Sequence, residues 1–192
     1  ANEIAGGTLA VTNAPLTAEL AEAWTGTVRV ADTMKQDGNN AWIDTLANEN
    51  SLVEFINFTG YDRAWASSYV PEITADIKLT SDGANAAWNL SAFASQTYTM
   101  VVSGDWQGDG TFLMAGGTAG QSQAVEYKGD ITNWTGSIEA NAPGLRRVTF
   151  SENATNVNVS LVHNGAGAFE LVVNNAATFS QAVNVSKLTV DA

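Results

Sequence analysis

Asp105 and Asp109 flank Trp106 in the stretch Gly104-Asp105-Trp106-Gln107-Gly108-Asp109-Gly110. Two carboxylates on one surface could cleave a glycosidic bond, one as acid and the other as base or nucleophile. An indole between them would offer a sugar ring a flat platform. Trp65 sits in a similarly polar, loop-like context and is the second candidate for stacking on a glycan. The glycan-binding set read from the sequence is therefore Trp65, Asp105, Trp106 and Asp109. The same residues have a plainer use. Asp next to Gly sets tight turns, and a tryptophan ring more often serves a core, where it withdraws about 150–250 Å² from water.

Other chemistry has less support. His163 is the single histidine, so a Ser-His-Asp triad would have to use it, yet no Gly-x-Ser-x-Gly turn accompanies it. Before Asn164-Gly165 it reads as a turn residue. A polysaccharide lyase would use Arg146 or Arg147 as base beside bound calcium, but no Asp-rich cluster lies near them. Cysteine is absent, which removes thiolate nucleophiles and Cys-ligated metals. The EF-hand spacing and the Gly-Gly-x-Gly-x-Asp nonapeptide are also missing. We expect no metal site and no cofactor. The ion the loops allow is a structural calcium, on oxygen ligands at Asp37-Gly38, Asp82-Gly83 or Asp109-Gly110.

Charge narrows the partners. Eight Lys and Arg against twenty Asp and Glu give a net charge of −12. That balance excludes nucleic acid, which needs a basic stripe, and docking on an anionic lipid surface. No apolar run approaches the roughly 18 residues that span a bilayer, so no membrane insertion by this segment is expected. The abundance of Asn, Thr, Gly and Ser suits a long extracellular β-rich bacterial protein. Asn-X-Ser/Thr sequons begin at Asn57, Asn89, Asn133, Asn153, Asn158 and Asn184, and composition accounts for most of them.

The elements that must position these residues are mostly strands. Thr8–Thr12 alternates, and Ile73, Ala75, Ile77 and Leu79 alternate with Thr74, Asp76, Lys78 and Thr80, giving one half-buried strand. Further strand-sized runs fall at 51–56, 87–90, 98–102, 111–114, 147–150, 157–162, 168–173, 177–180 and 183–190. Two short helices are expected in the N-terminal half, at Leu16 to Ala23 and around Trp42, Ile43 and Leu46. Residues 116–123 read as a Gly-rich loop.

Internal repetition sets the architecture. Trp24-Thr25-Gly26-Thr27-Val28-Arg29-Val30 echoes Trp134-Thr135-Gly136-Ser137-Ile138-Glu139-Ala140. Thr149-Phe150-Ser151 with Val157-Asn158-Val159-Ser160 matches Thr178-Phe179-Ser180 with Val183-Asn184-Val185-Ser186. Imperfect copies with slack between them suit a solenoid, whose stacked rungs tolerate insertions at their turns. The fold class is thus all-β, a right-handed parallel β-helix with short helical insertions. A β-sandwich, which also uses short strands at this spacing, is the alternative.

Gly129-Asp130-Ile131-Thr132-Asn133-Trp134-Thr135-Gly136-Ser137-Ile138 resembles the rung of autotransporter-type passenger proteins. Gly108-Asp109-Gly110-Thr111-Phe112 resembles a turn of the same proteins, and Lys187-Leu188-Thr189-Val190 resembles the ends of their repeats. The resemblance covers residues 98–192 best and 1–60 loosely. The helical signals of the N-terminal half depart from a plain β-helix. The resemblance implies a scaffold on the outer surface of Gram-negative bacteria, and no catalytic residue carries over from it.

The expectation is one elongated module over residues 1–192, a segment of a longer chain with a processed start. Its function would be non-catalytic: an extracellular or outer-surface scaffold or adhesin. Its partner would be a glycan or another surface ligand of a host or neighbouring cell. A homo-oligomer or filament built through open sheet ends is a further variant. The alternative is a carbohydrate-binding module or a polysaccharide-degrading enzyme on the same scaffold.

Overall fold

The structure, a computed structural model, describes residues 8–12, 27–31, 52–61, 72–92, 98–116 and 119–191. Its strands form three parallel sheets, which the chain visits in rotation from residue 52 onward. The first sheet orders β1 (Thr8–Thr12), β2 (Thr27–Ala31), β3 (Leu52–Ile56), β6 (Asp76–Leu79) and β9 (Trp106–Gly108). The second runs from β4 (Phe58–Tyr61) through β7 (Trp88–Ala92), β10 (Thr111–Gly116) and β12 (Ser137–Asn141) to β15 (Ser160–His163). The third holds β5 (Glu72–Ile73), β8 (Tyr98–Val102), β11 (Ser122–Tyr127), β13 (Leu145–Phe150), β16 (Phe169–Val173) and β18 (Lys187–Val190). A short pair, β14 (Asn156–Val157) with β17 (Thr178–Phe179), continues the stack toward the C-terminal end.

Every pairing between these strands is parallel. The fold is therefore a parallel β-helix. A sandwich of hairpins is excluded, because the antiparallel contact among the described residues is an isolated bridge in the turn between Asp82 and Asn85. Those residues contain no helix. The two expected helices, at 16–23 and 42–46, lie outside the described residues.

The rung period is uneven along the chain. Rung-to-rung hydrogen bonds join residues 29 apart at Asp76 and Asp105, 23 apart at Arg147 and Glu170, and 17 apart at Glu170 and Lys187. This uneven period explains why the sequence echoes do not mark equivalent positions. Thr27–Ala31 lies in the first sheet, whereas Ser137–Asn141 lies in the second. In the C-terminal third, Val157 stacks on Phe179 and Leu161 on Val183. The motif match would instead have superposed Phe150 on Phe179.

Alternation decides which side chains enter the interior. In β11, Gln123, Val125 and Tyr127 are buried while Ser122, Ala124 and Glu126 stay partly exposed. Register then builds columns along the axis, Met100–Val125–Val148–Leu171 and Val102–Tyr127–Phe150–Val173. The run Ile73–Leu79 is not one strand. It bends at Thr74-Ala75, so Ile73 joins the third sheet and Ile77 the first. The inward alternation survives the corner, since Ile73, Ala75, Ile77 and Leu79 are all buried. At the C-terminal rung Leu188 and Val190 pair with Leu171 and Val173, and no described residue covers them, leaving them 59% and 64% exposed.

An aromatic spine fills the middle of the stack. Phe55 stacks on Trp88 at 4.5 Å, Trp88 on Trp106 at 5.8 Å, and Trp106 leans on Trp134 at 5.1 Å. Tyr127 meets Trp106 edge-on at 5.0 Å and continues to Phe150 at 5.7 Å and so to Phe179 at 5.9 Å. Such tilted and offset contacts add to the area the rings bury.

Candidate functional site

The residues singled out for glycan binding do not converge. Trp106 is 1% exposed and points into the spine, so it offers no platform. The reason is the parity of β9: the turn-rich sequence around it contains a real strand, whose first residue faces inward. Asp105 and Asp109 are turn residues that stitch rungs together. The Asp76 carboxylate accepts the Asp105 amide at 2.9 Å, and the Asp105 carboxylate accepts the Asp130 amide at 2.8 Å. The Asp109 carboxylate reaches back to the amide of Ser81 at 2.9 Å. Each carboxylate thus satisfies an N–H at a corner where the sheet ladder is interrupted. Trp65 lies outside the described residues, as do Trp24, Trp42 and Asp37-Gly38. Trp88 and Trp134 are core.

His163 closes a local turn, its Nε2 2.7 Å from the Gly167 carbonyl. Arg146 and Arg147, the pair considered for a lyase, point to opposite faces. Arg146 is 1% exposed, and its guanidinium donates to the Leu145 carbonyl at 2.9 Å. Among the described residues no three Asp, Glu or His side chains gather as a metal ion would require.

The charged side chains that do converge lie on the outward face of the third sheet. Arg147, Glu170 and Lys187 occupy one register column on β13, β16 and β18. Arg147 holds Glu170 through two nitrogens, Nε at 2.7 Å and Nη2 at 2.6 Å from Oε2. Lys187 Nζ donates to Oε1, and Thr189 Oγ1 donates to the same oxygen at 3.3 Å. These partners cover Glu170, whose side chain is 5% exposed although it faces outward. In the neighbouring column Glu126, Thr149, Val172 and Thr189 follow in register. With Asn174 and Asp191 these residues line an open groove of about 370 Å³. Of these residues, the sequence alone offers only Arg147 as a chemical candidate. The remaining lining residues are ordinary outward positions of strands, and they become neighbours only once the rung register is known.

Electrostatics fix the ionisation of the groove floor. The hydrogen bond from Lys187, then the guanidinium of Arg147, hold the Glu170 carboxyl below its ordinary range against the opposing effect of burial. Asp130 is lowered too, chiefly by the Thr132 hydroxyl at 2.6 Å. A carboxyl whose folded value lies below its unfolded value stabilises the fold above the unfolded value. That contribution is lost as pH falls through the folded one. The melting temperature should therefore drop as pH is lowered from about 5 to about 3. Glu170→Gln should flatten part of that drop, and thermal melts at stepped pH check it. An unchanged slope in the variant would show that the ion triad contributes nothing.

No protein-family model, curated protein or solved structure matches this chain.

Proposed function

We propose that this chain is a non-catalytic module of the bacterial cell surface or medium, a solenoid scaffold of the autotransporter-passenger kind that presents an outward sheet for contact with surface ligands. The observation that carries this reading is how the chemistry-bearing side chains are used. Trp106 packs the interior, and Asp105 and Asp109 bond the amides of neighbouring rungs. The acidic, Asn- and Thr-rich composition and the motif likeness of residues 98–192 add to it.

The rival reading, a glycoside hydrolase on the same scaffold, draws on the carboxylates of the outward groove. It needs one carboxyl held protonated to act as acid. Glu170 is driven the other way, toward the ionised form.

Two measurements on the producing cells and the purified chain test the proposal. Protease treatment or antibody labelling of intact cells should reach the protein, or it should be recovered from the medium. Incubation with neutral and uronate polysaccharides should release no new chain ends. Confinement to the cytosolic fraction would overturn the surface role, and turnover of any polysaccharide would overturn the non-catalytic one.

A further inference from the structure

The groove on the third sheet has hydrogen-bonding capacity that the fold does not use. Among the described residues no hydrogen bond or ion pair engages the side chains of Thr149, Asn174 or Asp191. Glu126 accepts one bond, from Ser151 Oγ at 2.8 Å. Hydroxyl, amide and carboxylate groups therefore surround a floor that is already saturated, since Glu170 accepts from Arg147, Lys187 and Thr189. The floor is rigid because it is clamped across three strands, and strand-borne groups hold position better than loop-borne ones. About 370 Å³ falls at the small end of the range for small-molecule sites.

We propose that this groove binds a short, uncharged oligosaccharide, its chain running along the solenoid axis across β11, β13, β16 and β18. The inference rests on the non-catalytic surface reading and supplies its ligand class. Three features select that class. Adjacent rungs lie about 4.7–4.9 Å apart, close to the length of one pyranose in a chain, so successive sugars meet successive rungs. The unengaged groups are carboxylate, amide and hydroxyl, which pair with vicinal sugar hydroxyls. The charges oppose an anionic ligand and leave the groove itself nearly neutral. Both cations of the groove are already committed to Glu170, and the chain carries −12, which disfavours a polyanion. Arg147 and Lys187, 44% and 65% exposed at the lip, offset two of the groove's three carboxylates, Glu126, Glu170 and Asp191, so its local charge is close to neutral.

The test titrates the whole chain with maltohexaose, cellohexaose and xylohexaose, with a galacturonate hexamer and a glucosamine hexamer as charged arms. Amide shifts and calorimetry are the readouts. At least one neutral hexaose should bind and shift the amides of Glu126, Thr149, Asn174 and Asp191. The double variant Glu126→Gln with Asp191→Asn should weaken it at least about tenfold, a loss near 1.4 kcal/mol. Val172→Trp, which fills the groove from an outward position, should abolish binding. Glu139→Gln, on the outward face of the second sheet, should leave it unchanged. Circular dichroism of each variant reports folding separately. Absence of binding by all three neutral hexaoses, full affinity in the double variant, or tighter binding of either charged hexamer would overturn the inference. Those failures leave the surface reading standing. Recovery of a shortened hexaose would do the reverse, removing the non-catalytic reading while the groove assignment holds.

Discussion

Trp106→Ala should destabilise the chain by about 3–5 kcal/mol, as removal of a fully buried large aromatic does elsewhere. The ring touches Trp88, Phe112, Tyr127 and Trp134, so its loss opens the spine between rungs rather than at an edge. A paired comparison makes the expectation sharper. Trp106 Nε1 is buried with no hydrogen-bond partner, whereas Trp134 Nε1 donates to the Gly110 carbonyl at 2.9 Å. Trp106→Phe therefore discards an unsatisfied donor along with some volume, and part of the cavity cost is offset. Trp134→Phe removes the same volume and also a buried hydrogen bond. It should cost about 1 kcal/mol more than Trp106→Phe. Urea melts of the three variants check this. Equal losses for the two Phe variants would mean that the indole nitrogens play no part. Because each rung contacts only its neighbours, Trp106→Ala should also lower the slope of the transition if the stack splits at that rung.

This burial also explains where the sequence could and could not be read. The alternation of Ile73, Ala75, Ile77 and Leu79 was legible because inward parity continues around a solenoid corner. The corner itself was not, since the strand changes sheet at Thr74-Ala75 without a break in pattern. The same parity would have turned Trp106 inward, but Gly104, Gly108 and Gly110 around it read as loop. Three residues, Trp106–Gly108, are enough for a strand when the rungs above and below supply the hydrogen bonds. The parallel architecture was legible from imperfect repetition. The register was not, because the rung period varies between 29 and 17 residues and short motifs then align with the wrong partners. β11 was missed for a related reason: Ser122–Tyr127 puts a glutamine inward at Gln123 and so looks too polar for a core strand.

The outward groove was illegible for a physical reason of its own. Arg147, Glu170 and Lys187 are separated by 23 and then 17 residues, and nothing local links them. Only strand stacking makes them a triad. Asp105 and Asp109 show the converse. Their spacing around a tryptophan looked like chemistry, while the backbone amides they satisfy belong to other rungs and leave no trace nearby in the sequence.

Glycine substitutions at the rung corners should divide by what lies on the next rung. A methyl placed on Gly136 would stand 2.0 Å from the Gly110 carbonyl oxygen, and one on Gly129 would stand 2.1 Å from that of Gly104. In both cases the obstacle is backbone held in the ladder, so it cannot rotate away as a side chain would. The neighbouring rungs would have to separate, breaking bonds such as Trp106 N–H to the Asp130 carbonyl at 2.9 Å and Thr135 N–H to the Gly108 carbonyl at 2.8 Å. Gly136→Ala and Gly129→Ala should each cost about 3 kcal/mol or more, at or beyond the upper end for overpacking. Gly120 meets nothing within 4 Å and needs no left-handed conformation. Gly120→Ala should be neutral or stabilise by about 0.4–1 kcal/mol, through the unfolded chain. Gly83 has open space but a φ of +61°, so Gly83→Ala should fall between, with a strain cost of about 1 kcal/mol. Denaturant melts of the four variants test the ordering. A Gly136→Ala chain as stable as Gly120→Ala would mean that the rungs do not stack at the spacing described, and the columns that build both the spine and the groove would lose their basis.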